Sequence, residues 1–243
     1  MHFWLLLFLI VSSNAEDRIY NGTRVVEDDL MHTVKMNMVL RSKKSRSYES
    51  FCSGTIISEH YVLTAAHCLQ DASYVGFVTR HKFSPEYFAH DWIIHPGYNR
   101  TTLENDIAIA RFHQNGPVLP SVLLAANYTH KKDEWLRVAG FGMTKYEFKG
   151  KEPAATDPAE TLMETYLRGQ NRNDCPELFS KSFKIYGICM FRNDSTILGG
   201  DSGGPVFAKN VATEVSHYCP WIEETTANEV KCQTFEPTTI IPK

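Results

Sequence analysis

The sequence lacks the features that mark several protein classes. Its 243 residues include only 14 glycines and 11 prolines, which excludes collagen-like and low-complexity chains. The net charge is −3 and no long basic block occurs, so nucleic acid is not an expected ligand, because binding phosphates requires clustered cations. The 43% of residues that are hydrophobic can bury a substantial core. These exclusions leave a globular protein, and its length is sufficient for an enzyme.

Apolar segments of membrane-spanning length are also missing. Residues 3–11 form an apolar run of nine residues, which at about 1.5 Å per residue cannot cross a hydrocarbon core of roughly 30 Å. Small and polar residues follow, so we predict a signal peptide at residues 1–15. A buried strand or an interfacial anchor is the alternative interpretation. We therefore expect a secreted, extracellular protein with no membrane partner.

The cysteines do not have the spacing of a metal site. No Cys-x-x-Cys pair occurs and only Cys68 neighbours a histidine, so neither a metal nor another cofactor is expected. In a secreted protein an even number of cysteines favours full pairing, and six cysteines allow 15 connectivities. The six are Cys52, Cys68, Cys175, Cys189, Cys219 and Cys232. Four Asn-x-Ser/Thr sequons predict glycosylation at Asn21, Asn99, Asn127 and Asn193.

Short apolar runs broken by Gly, Pro, Asn and Asp dominate the rest of the chain. They predict an all-β sandwich or barrel, because no helical pattern of 10 to 15 residues separates them. The runs lie at 34–40, 54–57, 61–64, 74–79, 92–94, 107–112 and 136–140. We predict helices near 162–170 and after Pro220, a long exposed loop at 145–160, and a loosely ordered tail from about 223 to 243.

Three separate motifs carry residues with catalytic chemistry. They are Leu-Thr-Ala-Ala-His-Cys at 63–68, Asn-Asp-Ile-Ala-Ile-Ala-Arg at 105–111 and Gly-Gly-Asp-Ser-Gly-Gly-Pro at 199–205. Taken singly, His67 is interpreted as a structural histidine, Asp106 as a turn or cap residue, and Ser202 as a hydroxyl in a glycine-rich turn. Together, in the order His, Asp, Ser, the motifs resemble those of chymotrypsin-like (trypsin-like) serine endopeptidases.

The resemblance extends over about residues 18–207. The stretches 19–22, 52–57, 95–99 and 140–142 are also similar to family segments. The resemblance implies two six-stranded antiparallel β-barrels, divided near 121–135, with a short C-terminal helix and the active site between them. We expect one peptidase domain at 19–243, in which the second barrel is incomplete.

The resemblance assigns a role to each motif residue. His67 is the general base, Asp106 orients it, and Ser202 is the nucleophile, because a serine hydroxyl near neutral pH needs a base to take its proton. The N–H groups of Gly200 and Ser202 form the oxyanion hole. The resemblance also implies the disulfides Cys52–Cys68 and Cys175–Cys189. Cys219 and Cys232 have no family counterpart, and their pairing with each other is expected by elimination.

The same resemblance implies synthesis as a zymogen with a propeptide at 16–18. Cleavage after Arg18 by a trypsin-like protease frees the α-ammonium of Ile19, which inserts beside the carboxylate of Asp201. A buried carboxylate without a partner is costly, so this pairing drives the oxyanion loop into shape.

The sequence departs from the family pattern after Phe207. Cys219 follows Ser202 by only 17 positions, so roughly twenty residues, about one strand and its loop, are missing. In the family this piece forms a wall of the primary specificity pocket. Thr196, expected at the pocket base, is uncharged, which favours apolar side chains over Arg or Lys.

Three explanations of the missing piece remain open: an incomplete transcript, an inactive homologue, and an active enzyme with a rebuilt pocket. The first functional hypothesis is a zymogen-type endopeptidase that hydrolyses peptide bonds. The alternative is a catalytically weak or inactive homologue that serves as a binding or regulatory protein. The expected partners are a protein or peptide substrate, an activating protease and protein inhibitors, and the chain is expected to be monomeric.

Overall fold

The structure is a computed structural model. It describes residues 19, 21–26, 30–41, 47–79, 85–113, 119–149, 152–170, 189–208, 211–212, 215–235 and 242. The predictions for the signal peptide, for Arg18 and for Cys175 lie outside these residues. Within the described part of the chain, no helix has the length and apolar character that crossing a membrane requires.

The described elements are almost all strands. In chain order the strands are β1 (Thr23–Arg24), β2 (Thr33–Arg41), β3 (Ser47–Ile56), β4 (Tyr61–Thr64), β5 (Ala72–Thr79), β6 (Tyr87–Ile94), β7 (Ala108–Phe112), β8 (Leu124–Ala125), β9 (Trp135–Gly140), β10 (Met143–Lys149), β11 (Glu152–Pro158), β12 (Met163–Gly169), β13 (Met190–Phe191), β14 (Val206–Ala208), β15 (Val211–Ala212) and β16 (Cys232–Gln233). The helices are α1 (Ala66–Leu69), a 3₁₀ turn (Ser216–Tyr218) and α2 (Cys219–Thr225).

The first half of the chain closes into a six-stranded barrel in the order β2-β3-β4-β7-β6-β5. Strand β2 shows why, because its alternate residues Val34, Met36 and Met38 are buried while the intervening residues are partly exposed. The aromatic rings of Phe77 and Phe112 meet edge to face at 4.9 Å in the barrel interior. All six predicted runs in this half coincide with its strands.

The second half forms an open sheet among the described residues. Its strand order is β1-β12-β9-β14-β15-β8-β16, with β13 also paired to β12. Phe207 and Leu124 of this sheet pack with Ile222 of α2 in one buried cluster. The expected all-β fold is therefore confirmed, with one closed barrel, a second half that is open within the part of the chain described, and a short C-terminal helix.

Two local predictions were wrong. The segment predicted as a helix near 162–170 is strand β12, which pairs with β9 over Met163–Gly140 to Arg168–Trp135. Six of its seven residues are buried although the segment mixes polar with apolar residues, so the sequence shows no regular alternation that would distinguish this strand from a helix. The loop predicted at 145–160 is largely the hairpin β10–β11, with Lys149 opposite Glu152.

The C-terminal segment packs against the second half as far as residue 235. The helix predicted after Pro220 is present as α2, with the proline in its first turn. Val230 is buried, and Cys232 in β16 lies parallel to Leu124 in β8. Residues 223–235, which the sequence predicted to be loosely ordered, thus occupy defined positions.

Candidate active site

Three elements bring the motif residues to one region. His67 lies on α1 directly after β4, Asp106 precedes β7, and Ser202 lies in the turn before β14. The Cys52–Cys68 disulfide, with an S–S distance of 2.02 Å, ties α1 to β3. A four-residue helix has little stability of its own, so the disulfide and strand β4 fix the position of His67.

His67 and Asp106 are in direct contact. The Nδ1 of His67 lies 2.6 Å from Oδ2 of Asp106, and the backbone N–H of His67 donates to Oδ1 at 2.8 Å. Both carboxylate oxygens are used, so the ring orientation is fixed and Nδ1 carries the proton, which leaves Nε2 as the basic nitrogen. The side chains are 38% and 21% exposed, respectively.

Ser202 lies beside this pair, but its hydroxyl is not bonded to it. The Nε2 of His67 and the carbonyl oxygen of Ser202 lie 3.6 and 3.9 Å from the same sulfur, Cys68 Sγ. The carbonyl also accepts the N–H of Ser53 at 2.9 Å. Among the described residues, Oγ of Ser202 makes no hydrogen bond. The structure therefore joins His67 to Asp106 and places Ser202 nearby without the hydroxyl–imidazole bond.

The turn before Ser202 presents two backbone donors. Gly200 has φ +97°, a conformation that favours glycine. The carbonyl of Gly199 accepts the N–H of Met143 at 2.7 Å. Because C=O and N–H point in opposite directions across a trans peptide, the N–H of Gly200 points away from Met143. Within the described part of the chain, neither this N–H nor that of Ser202 meets an acceptor. Such adjacent donors suit a developing oxyanion.

Ser53 holds this turn, and the sequence analysis missed it. Its side chain is fully buried in β3. The hydroxyl donates to the carbonyl of Gly200 at 2.9 Å and accepts the N–H of Phe141 at 2.9 Å. With its backbone bond to Ser202, this residue links the first barrel to both sides of the Gly200–Ser202 turn. A serine between Cys52 and Gly54 gives no such signal in the sequence.

Asp201 is a buried carboxyl within the same turn. Its Oδ1 accepts the N–H of Gly142 at 2.8 Å, and its Oδ2 accepts the N–H of Leu198 at 2.9 Å. Burial raises the pKa of Asp201 to about 6, although both hydrogen bonds act in the opposite direction. A Cβ at Gly140 or Gly142 would lie 2.3 to 2.4 Å from atoms of this carboxyl. The Gly-Phe-Gly sequence is therefore needed to make room for it.

Ile19 is connected to Asp201 through two intervening residues. Its side chain is fully buried and packs with Ala159 and Met163. The N–H of Ala159 donates to the carbonyl of Gly142 at 3.0 Å, and Gly142 in turn donates to Asp201. Ile19 thus contacts Ala159, Ala159 is hydrogen-bonded to Gly142, and Gly142 is hydrogen-bonded to the carboxyl of Asp201.

Tyr98 is a second residue that the sequence analysis did not single out. Its hydroxyl oxygen is buried and has no hydrogen-bond partner among the described residues. Burial, followed by the negative charge of Asp106, raises the pKa of Tyr98. The hydroxyl therefore lies within electrostatic reach of the carboxylate that orients His67.

The expected pocket base is open. Thr196 is exposed, and its neighbour Ile197 is 43% exposed. Ser195 is buried instead, with its Oγ 2.7 Å from Oγ1 of Thr165. Ile197, an apolar residue next to Thr196, therefore faces solvent.

Two of the expected disulfides are confirmed, namely Cys52–Cys68 and Cys219–Cys232. Cys189 is also disulfide-bonded, and its expected partner Cys175 lies outside the described residues. Cys52, His67 and Cys68 are close enough to hold a metal, but the two sulfurs are bonded to each other and are not available as ligands. The four sequon asparagines are all exposed.

Comparisons with known proteins identify the family. Residues 24–231 match the family model described as Trypsin. Human (Homo sapiens) cathepsin G is 30% identical, with 91% of this chain and 92% of that protein covered. Chymase of Rattus norvegicus is 27% identical over 90% of this chain and 95% of its own length.

Solved structures show the same fold. HL collagenase superposes with a TM-score of 0.71 at 21% identity, covering 86% of this chain and 99% of that one. A structure of GrC has a TM-score of 0.70 at 21% identity, covering 85% and 98%. Together with the family match over most of the sequence, the chain therefore belongs to the trypsin family of chymotrypsin-like serine proteases.

Proposed function

We propose that this protein is a secreted serine endopeptidase, made as a zymogen, that hydrolyses peptide bonds through His67, Asp106 and Ser202. Membership of the trypsin family supports a peptidase. The observation that carries the finer assignment is the contact of both Asp106 oxygens with His67 beside the turn that contains Ser202.

In the proposed reaction, Oγ of Ser202 attacks the scissile carbonyl carbon and its proton passes to Nε2 of His67. Asp106 stabilises the imidazolium through Nδ1. The N–H groups of Gly200 and Ser202 bind the oxyanion, each contributing about 3 to 4 kcal/mol in the transition state. His67 then protonates the leaving amine, and water hydrolyses the acyl-enzyme by the same route.

Activation is proposed to form the missing hydroxyl–imidazole bond. Cleavage after Arg18 gives Ile19 an α-ammonium, and the packing of Ile19 near Gly142 supports its approach to Asp201. An ammonium beside this buried carboxyl supplies the counter-charge that the uncleaved chain lacks among its described residues. The ion pair would constrain the turn and so orient Ser202 for attack. Catalytic hydrogen bonds such as the one between Ser202 and His67 often shorten further when substrate binds.

The remaining assignments follow from the sequence. We propose a signal peptide at 1–15, a propeptide at 16–18 and secretion of a monomer. Glycans at Asn21, Asn99, Asn127 and Asn193 are supported by the exposure of these side chains. Apolar substrate side chains are favoured at Thr196, because no carboxylate stands there to bind a basic one. Protein substrates, an activating trypsin-like protease and protein inhibitors are the proposed partners.

A second candidate is a catalytically weak or inactive homologue that acts as a binding protein. The open base at Thr196 and Ile197 favours it, because a substrate side chain there would remain largely hydrated. The partial exposure of His67 and Asp106 also weakens their electrostatic interaction.

Labelling of the nucleophile separates the two candidates. Secreted protein is treated with trypsin and then with an organophosphorus fluoride, and intact mass and peptide mapping locate the adduct. The endopeptidase predicts stoichiometric modification of Ser202 after cleavage, and none in Ser202→Ala or in uncleavable Arg18→Gln. Clean cleavage after Arg18 without labelling supports the binding protein.

A further inference from the structure

A cavity lies on the first barrel, and none of the residues that line it has been assigned a role above. It encloses about 500 Å³, within the range of about 300 to 1,000 Å³ that is usual for ligand sites. Strands β2, β3 and β5 and the residues before β6 form its walls. The side chains that matter for its chemistry are Lys35, Asn37, Glu49, Phe51, Tyr74 and Glu86.

The ring of Phe51 separates this cavity from the Gly200–Ser202 turn. A Cβ at Gly200 would lie only 2.2 Å from Cε2 of Phe51, so the ring and the turn are in contact. Phe51 also precedes Cys52, whose disulfide partner Cys68 lies 3.6 Å from Nε2 of His67. The leaving amine must meet this Nε2 to be protonated. The disulfide therefore connects the neighbourhood of this nitrogen, where the leaving amine is protonated, to Phe51 in the wall of the cavity.

The cavity holds a prepositioned carboxylate. Oε1 of Glu86 accepts a hydrogen bond from Nδ2 of Asn37 at 3.1 Å. The hydroxyl of Tyr74 is also hydrogen-bonded to this carboxylate. Burial and the charge of Glu86 raise the pKa of Tyr74 to about 12, so the phenol remains a donor. A Cβ at Gly76 would lie 2.8 Å from Oε1, so glycine leaves room for the carboxylate. Neutral donors thus orient Glu86 without neutralising its charge.

The charges in the cavity favour a cationic ligand. Across the described part of the chain, neither Glu49 nor Glu86 forms an ion pair. Lys35 is the one cation among the described residues of the wall, and its Nζ lies 5.0 Å from the centroid of the Phe51 ring. Burial lowers the pKa of Lys35, and Glu160 acts in the opposite direction. The positive charge of Lys35 therefore interacts with Phe51 and Glu160. The carboxylates of Glu49 and Glu86 remain available to a cationic ligand.

We propose that this cavity binds a lysine or arginine side chain of the protein substrate, at a position after the scissile bond. This inference rests on the proposed peptidase function and adds a substrate preference to it. A long basic side chain suits the site because its stem packs on apolar walls while its head reaches Glu86 and Glu49.

Paired peptides test the preference in the activated protein. Each pair carries arginine or citrulline, its uncharged analogue of nearly the same shape, at one of the first four positions after the scissile bond. We expect arginine to raise kcat/KM about tenfold at one position, as befits a partly buried charge pair. Glu86→Gln should remove that preference, and Glu224→Gln, on the exposed face of α2, should retain it. Lys35→Met should increase it.

Equal kcat/KM values for every arginine and citrulline pair would overturn the proposal, as would an unchanged preference in Glu86→Gln. Glu49→Gln, with thermal unfolding and near-ultraviolet circular dichroism as folding controls, covers the case in which Glu86→Gln does not fold. If Ser202 is not labelled and no peptide is cleaved, the proposed function fails. Calorimetric binding of the same peptides to Ser202→Ala then tests the cavity separately, and equal affinity for arginine and citrulline peptides would refute it.

Discussion

Replacement of Asp201 by asparagine should stabilise the uncleaved protein at neutral pH but not in acid. In the unfolded chain this carboxyl ionises near its ordinary pKa of 3.8, whereas burial in the folded chain raises the pKa to about 6. Between these values the folded protein retains a proton that the unfolded chain has lost. The contribution of Asp201 to stability therefore falls as pH rises from about 4 to about 6.

The magnitude follows from the two pKa values. One pKa unit corresponds to about 1.4 kcal/mol, so ionising the buried carboxyl costs about 3 kcal/mol at pH 7.5 relative to pH below 4. Asparagine does not titrate, so the variant does not show this loss. Its amide nitrogen would face the N–H of Leu198 and lose that hydrogen bond, but this cost is the same at both pH values.

The assay is guanidinium unfolding of Arg18→Gln protein, which stays uncleaved, with and without Asp201→Asn. The difference in unfolding free energy between the two proteins should change by about 2.5 kcal/mol between pH 4 and pH 7.5, in favour of asparagine at the higher pH. Taking the difference cancels the other titrating groups. A change below about 1 kcal/mol, or one of opposite sign, would refute the reasoning.

In cleaved wild-type protein the pH dependence should reverse. The α-ammonium of Ile19 would lower the pKa of Asp201 below its ordinary value, so the pair would stabilise the protein at neutral pH and be lost as pH falls. Unfolding curves of the cleaved protein at the same two pH values measure this. If cleavage leaves the pH dependence unchanged, the proposed ion pair does not form.

The remaining predictions concern the turn, the triad and the C-terminal disulfide. Ser53→Ala removes one partner each from Gly200 and Phe141, so we expect kcat to fall about tenfold or more with KM little changed; an equal loss in both parameters would contradict a role in the oxyanion turn. Asp106→Asn should slow organophosphorus labelling by about 10⁴-fold, because Nδ1 would lose its acceptor; stopped-flow labelling of folded protein measures this, and a loss below tenfold would exclude the assigned role. Removing the Cys219–Cys232 disulfide, whose cysteines are 13 residues apart, should lower the unfolding free energy by about 3 kcal/mol; unchanged guanidinium unfolding would show that α2 is held by packing alone.

Local sequence was sufficient to select the three residues that we propose carry the chemistry. His67, Asp106 and Ser202 each lie in a short motif whose residue types meet a local need, such as glycine at the positive φ of Gly200. The strands of the first barrel were predictable for a similar reason. In β2, for example, apolar residues alternate with more polar ones because only one face of the strand is buried.

Contacts between distant segments could not be predicted in this way. Strand β12 mixes polar and apolar residues without alternation, and only its pairing with β9 distinguishes it from a helix. Ser53 gains its role because the fold places it 2.9 Å from a carbonyl 147 residues away. Glu86 becomes a cation site because Asn37 and Tyr74 arrive from other strands.

The sequence by itself thus determined the family, the strand pattern of the first barrel and the three motif residues, since each depends on residue type and near neighbours. Only the tertiary structure decided the strand order of the second sheet, the burial that raises the pKa of Asp201, the hydrogen bonds of Ser53 and the cavity beside Phe51. The physical reason is that desolvation and hydrogen bonding depend on which groups meet in space, and chain order alone does not specify those meetings.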